Sequence, residues 1–153
     1  MNWMVLPMRR YLDFDGRSSR KEFWMFWLLN LIVYAVLFAI GLSGFPLAAI
    51  LSDDPNNFAG APEMGTLTII SLILLGIWTV VMLIPSVAVT VRRLHDRNIS
   101  GWWYLGLIVL SLIPLVGFGA AIAMLVLVVL PGTPGPNQYG DDPRDLSKAM
   151  AFA

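Results

Sequence analysis

Apolar and polar positions along this chain fall into long blocks rather than short alternations. The first apolar block, "FWMFWLLNLIVYAVLFAIGL", runs over 23–42. About 20 residues at 1.5 Å each cover roughly 30 Å, the hydrocarbon thickness of a bilayer. A second block, "LTIISLILLGIWTVVMLIPSVAVT", occupies 67–90 and contains Pro85. Proline denies a hydrogen bond to the carbonyl of Val81 and predicts a kink near the end of that helix. The third block, 102–130, carries no charge over about 29 residues, or roughly 43 Å as one helix. That is too long for an upright span and short for two. Pro114, Gly117 and Gly119 stand at its centre, where a chain reversal is expected.

The pattern therefore predicts an all-α membrane protein. It has two full transmembrane helices plus a Pro/Gly-broken region read as a helical hairpin, four short spans in all. Three spans, with one tilted and kinked final helix, are the alternative. A single membrane domain over 1–153 divides into an interfacial N-terminal segment (1–22), span 1 (23–42), an external loop (43–66) and span 2 (67–90). A polar segment (91–101), the span 3/4 region (102–130) and a turn-rich tail (131–153) follow.

The polar blocks orient these spans. Ser19 and Glu22 have capping-box spacing at the start of span 1, and Trp24 and Trp27 follow at the depth that indole rings favour. The apolar run is too long for a signal-peptide core of about 7–15 residues. Upstream, Trp3, Leu6, Tyr11 and Phe14 suit the headgroup layer, with Arg9 and Arg10 toward phosphates. The 43–66 loop contains Asp53, Asp54 and Glu63 and no basic residue. Arg17, Arg20 and Lys21 flank one span, and Arg92, Arg93 and Arg97 flank the other. The positive-inside rule places the N-terminus and the 91–101 segment in the cytoplasm and the acidic loop outside.

Composition agrees and excludes much else. The chain is 58% hydrophobic and 13% charged, with mean hydropathy +0.73. A soluble domain carries roughly 25% charged residues. Zero formal net charge argues against nucleic acid as a partner, since phosphate neutralisation needs a basic excess. Cysteine is absent and histidine occurs once, which removes disulfides, thiolate zinc sites and clustered-histidine metal sites. Asp53, Asp54, Asn56 and Asn57 supply neighbouring oxygens but read as loop chemistry. No metal and no cofactor is expected.

Candidate chemistry concentrates in "RRLHDRNISGWW", 92–103. On a continuing helix, Arg92 and Arg93 can each reach Asp96, at i,i+4 and i,i+3. The plain reading makes this segment a membrane-surface anchor, with arginines snorkelling to the phosphate layer. The sharper reading is a site for an anionic phospholipid headgroup or another phosphate-bearing ligand, built from Arg17, Arg20, Arg92, Arg93, His95, Asp96 and Asn137. A third casts His95 as general base, but Asp96, one residue on, points about 100° away and is poorly placed to orient it. Within the spans, Asn30, Tyr34, Ser71, Thr79 and Ser111 are sparse enough for interhelical hydrogen bonds to explain them. Gly41 and Gly44 offer a weak contact motif, so homo-oligomerisation stays open.

"FDGRSSRKEFW" (14–24), "RRLHDRNISGWW" (92–103) and "GTPGPNQYG" (132–140) together resemble domain-of-unknown-function family 805. The resemblance covers nearly the whole chain. It departs at Gln138 and Ile99, where family patterns often carry a basic residue. It implies a small multi-pass protein of the bacterial inner membrane and no particular reaction, which leaves a structural or interaction role as the leading class and lipid as the partner. The orientation gives the first prediction. The chain lacks native cysteine, so Pro55→Cys in intact cells is expected to react with a membrane-impermeant thiol reagent and Arg97→Cys to stay protected. The reverse pattern would invert the topology.

Overall fold

A computed structural model describes residues 3–45 and 65–145. The loop residues Asp53, Asp54, Asn56, Asn57 and Glu63, and Lys148 of the tail, lie outside the described residues. Five helices and no strand occur among those described: α1 (Leu6–Arg9), α2 (Arg20–Ser43), α3 (Thr66–His95), α4 (Trp102–Ser111) and α5 (Val116–Val129). They fall into two compact units, one drawn from Met1–Leu28 and Leu83–Ala153, the other from Leu29–Met82.

Helices α2 and α3 are long and apolar enough to cross a membrane. Length alone would also suit the core helix of a soluble protein, so burial decides. Only 11% of the most apolar stretch of α2 and 17% of that of α3 is covered by the rest of the chain. Leu31, Phe38, Ile73 and Val80 are all more than half exposed. Apolar surface on this scale is unfavourable in water at about 25 cal/mol per Å², and lipid is the solvent that removes the cost.

In the Leu29–Met82 unit, the sparse polar side chains bond one another. Trp78 Nε1 donates to Asn30 Oδ1 at 3.1 Å, the Tyr34 and Thr79 hydroxyls lie 3.2 Å apart, and Thr68 Oγ1 donates to the Gly41 carbonyl at 2.8 Å. Asn30 and Tyr34 meet Trp78 and Thr79 whereas Gly41, later on the first helix, meets Thr68, earlier on the second, so the two segments are antiparallel. Gly44 allows the close approach: a Cβ there would lie 2.9 Å from the Thr68 amide nitrogen. The glycines are thus occupied by contacts within the chain.

The other unit holds α1, both ends nearest the polar motifs, and the 102–130 region. That region is a hairpin. α4 and α5 pack on each other, at about 15 Å and 21 Å each, with the reversal at 112–115. The left-handed residue in the turn is Leu115, φ 69°, not a glycine. Gly117 serves instead by close packing, since a Cβ would sit 2.5 Å from the Ser111 carbonyl oxygen. α3 runs through the buried Pro85 and continues past residue 90 to His95. Charged residues at 92–95 do not stop it because every one of them finds partners in the fold.

Candidate functional site

The C-terminal turn of α3 organises this site. A helix leaves its last four carbonyls without intrahelical donors, and here much of that end is buried. The Ser18 amide donates to the Arg92 carbonyl at 3.1 Å. Asn137 Nδ2 donates to the His95 carbonyl at 2.9 Å, as does the Asn98 amide, also at 2.9 Å. Asn98 itself adopts φ 60°, the left-handed cap that asparagine tolerates. The Asp96 carbonyl accepts the Thr133 amide at 2.8 Å and its hydroxyl at 3.1 Å. Segments before α2 and after α5 therefore close one helix end between them.

Asp96 then gathers two guanidinium groups. Arg17 Nε and Nη2 donate to Oδ1 at 3.0 and 2.8 Å, and Arg93 Nη1 donates to Oδ2. Both arginines go on to backbone carbonyls: Arg17 to Thr133 and Gly135, each at 2.6 Å, and Arg93 to Val128 at 3.0 Å and to Leu130. The last two are carbonyls at the end of α5. Arg92 does not join Asp96. Its Nη2 donates to Glu22 Oε1 at 3.1 Å and its Nη1 to the Asp13 carbonyl at 2.9 Å. The i,i+3 pair of Arg93 and Asp96 thus forms, and the Glu22 carboxylate serves Arg92. Only the forward half of the capping box is made, Glu22 amide to Ser19 Oγ at 3.2 Å. Arg92 and Arg93 have no exposed surface, and Arg92 Nε has no partner among the described residues.

His95 sits one position away with different contacts. Its Nδ1 lies 3.2 Å from the Gly16 carbonyl, which can only accept, so the proton resides on Nδ1. Its ring stacks on Tyr139 with centroids 3.8 Å apart and planes within 3°. Among the described residues no carboxylate is hydrogen-bonded to the ring. Tail geometry is set by Asp142, whose oxygens accept from Arg144 and from the Gly135 amide. The hydrogen bond from Arg144 holds the Asp142 carboxyl down at about 2, so it stays ionised at physiological pH.

Among the described residues no group of histidine and acidic side chains suited to a metal occurs. Of the residues singled out from sequence, Arg17, Arg92, Arg93, His95, Asp96 and Asn137 come together. Arg20 stands apart, exposed at the first turn of α2. Sequence reasoning missed Glu22 as the partner of Arg92, Thr133 and Tyr139 as tail contacts, and Gly132. A Cβ on Gly132 would lie 1.8 Å from Asp96 Oδ2, so only glycine admits the carboxylate there. Glycine beside proline in "PGTPGPN" was visible, but as turn chemistry.

The defining pattern of the family described as "Protein of unknown function (DUF805)" matches residues 11–141, which spans the α3 end and its tail. The chain belongs to this family. The DUF805 chain is similar to Inner membrane protein YhaH of Escherichia coli (strain K12), 35% identical over 94% of this chain and 98% of the relative. Inner membrane protein YhaI of the same organism is 33% identical over 94% and 97%. A more distant relative, Uncharacterized protein YiiR, is 28% identical over 88% of each chain. No solved structure matches the chain. With its lipid-facing helices, the DUF805 chain is an all-α integral protein of the bacterial inner membrane.

Gly132→Ala should displace the Asp96 carboxylate from both arginines. Breaking a buried pair costs roughly 3–5 kcal/mol, which thermal unfolding of the purified DUF805 chain would read. Gly119→Ala, where nothing lies within 4 Å of the added Cβ, should leave the midpoint unchanged or slightly raised. Equal midpoints for both variants would remove the steric argument.

Proposed function

We propose that the DUF805 chain is a multi-pass protein whose N-terminus, 91–101 segment and tail face the cytoplasm, and that its role is structural or interaction-type rather than catalytic. The observation that carries this reading is where the guanidinium donors go. Arg17, Arg92 and Arg93 are buried and bonded to carboxylates and carbonyls of their own chain, which supports a closed polar cap rather than an open anion site. Acid–base catalysis by His95 finds no carboxylate bonded to the ring among the described residues, since Asp96 is held by arginines.

An anionic-headgroup role keeps one specific support. Arg20 and Lys21 are exposed beside the exposed Trp24, an arrangement suited to phosphates at a membrane border, where each basic residue contributes about 1 kcal/mol. Arg93→Lys separates the readings, since lysine keeps the charge without the planar fork. Losing hydrogen bonds to a charged group, each about 1.5–3 kcal/mol, should lower the unfolding midpoint by roughly 5–10 °C. Retention of anionic phospholipid, read by native mass spectrometry, should stay at the wild-type level in that variant and fall in Arg20→Gln/Lys21→Gln. Lipid lost at an unchanged midpoint in Arg93→Lys would make the arginine cluster a binding site instead.

A further inference from the structure

A cleft of about 340 Å³ opens beside the histidine, a volume in the range of small-ligand sites. Its lining includes Phe14, Val87, Val91, His95, Trp102 and Leu105 and no charged residue. His95, Val91 and Val87 are spaced by four, so they lie along one face of α3 over two turns, about 12 Å. The groove therefore has a polar end and an apolar length. At the polar end stands His95 Nε2. Gly101, which also lines the cleft, brings no side chain over it, and a Cβ there would be 3.5 Å from Nε2.

The histidine is nine-tenths buried, and its other ring nitrogen is committed to the Gly16 carbonyl. With the proton on Nδ1, neutral imidazole carries a lone pair on Nε2, and that atom has no partner among the described residues. An acceptor that opens into an apolar cleft of this kind selects a donor. The absence of charge in the lining disfavours a ligand with net charge, because nothing there would compensate it. Aromatic walls favour a cationic group that brings its own counter-charge. Trp102, 78% exposed beside the cleft, suits the level where headgroups meet acyl chains.

From these constraints we propose that the groove binds a zwitterionic phospholipid with a primary ammonium headgroup. The ammonium N–H donates to His95 Nε2, and an acyl chain lies along Val91 and Val87. A trimethylammonium headgroup has no N–H to donate, and an anionic lipid brings a net charge the cleft does not match. The site rests on the membrane location of the chain and not on which side its N-terminus lies, so it fails or stands independently of the role proposed above.

The test compares phosphatidylethanolamine with phosphatidylcholine of identical acyl chains, exchanged onto the purified chain and read by native mass spectrometry. Wild type should retain the ethanolamine lipid roughly tenfold over the choline lipid, the scale of one hydrogen bond to a charged group. His95→Phe keeps a flat ring against Tyr139 and removes Nε2, and should bring the ratio to about one. Leu105→Trp, at an exposed position that fills the groove, should lower retention of both lipids without depending on the histidine. Equal retention by wild type, a preference for phosphatidylglycerol, or a folded Leu105→Trp that retains the ethanolamine lipid at the wild-type level would each overturn the proposal.

Discussion

One carboxylate holds the end of this molecule together. Asp96 divides its two oxygens between Arg17, from the segment before α2, and Arg93, from its own helix. Each arginine then supplies the donors that buried carbonyls would otherwise take from water. An isolated buried charge pair is weak evidence of stability, because desolvation offsets the attraction. This arrangement differs in that the charges also satisfy backbone groups at the ends of α3, α5 and the tail. The alternative to the ion pair is not a well-packed apolar core but a set of carbonyls with no donor, each expensive to bury.

That constraint accounts for a polar cluster in so apolar a chain. Helices solvated by lipid meet few specific neighbours along their length, and contacts such as Trp78 with Asn30 are correspondingly sparse. Specificity is concentrated where the chain leaves the spans and its helix ends need partners. The family pattern, matching 11–141, covers these ends together with the segments that close them. A motif rich in arginine and histidine therefore does not require a substrate to explain it. Among the groups it leaves over are the exposed Arg20 and Lys21, the buried Arg92 Nε and Arg97 Nη1, and the ring nitrogen of His95 that faces a cleft.

Much of the architecture was legible in the sequence because hydrophobic length and charge asymmetry are local signals. The spans over 23–42 and 67–90 fall within α2 and α3, and the Pro114–Gly119 stretch marks the hairpin. The end of α3 was less legible: periodicity cannot say whether a helix continues through charged residues, since that depends on partners far along the chain. Arg93 and Asp96, three apart, could be paired from spacing alone. Arg92 with Glu22, and Arg17 with Asp96, are separated by 70 and 79 positions, and nothing local indicates them. Glu22 even carried a competing local explanation as a capping residue. Gly132 was read as a turn former, whereas its lack of a side chain is what admits Asp96.

The central claim, that Asp96 and its arginines act as one unit, is tested most directly by a double-mutant cycle. Unfolding free energies would be measured for Arg17→Met, Asp96→Asn and the two combined. If the carboxylate and guanidinium depend on each other, the double variant loses less than the sum of the singles by about 1–3 kcal/mol. Losses that add to within roughly 0.5 kcal/mol would show two independent residues and contradict the account.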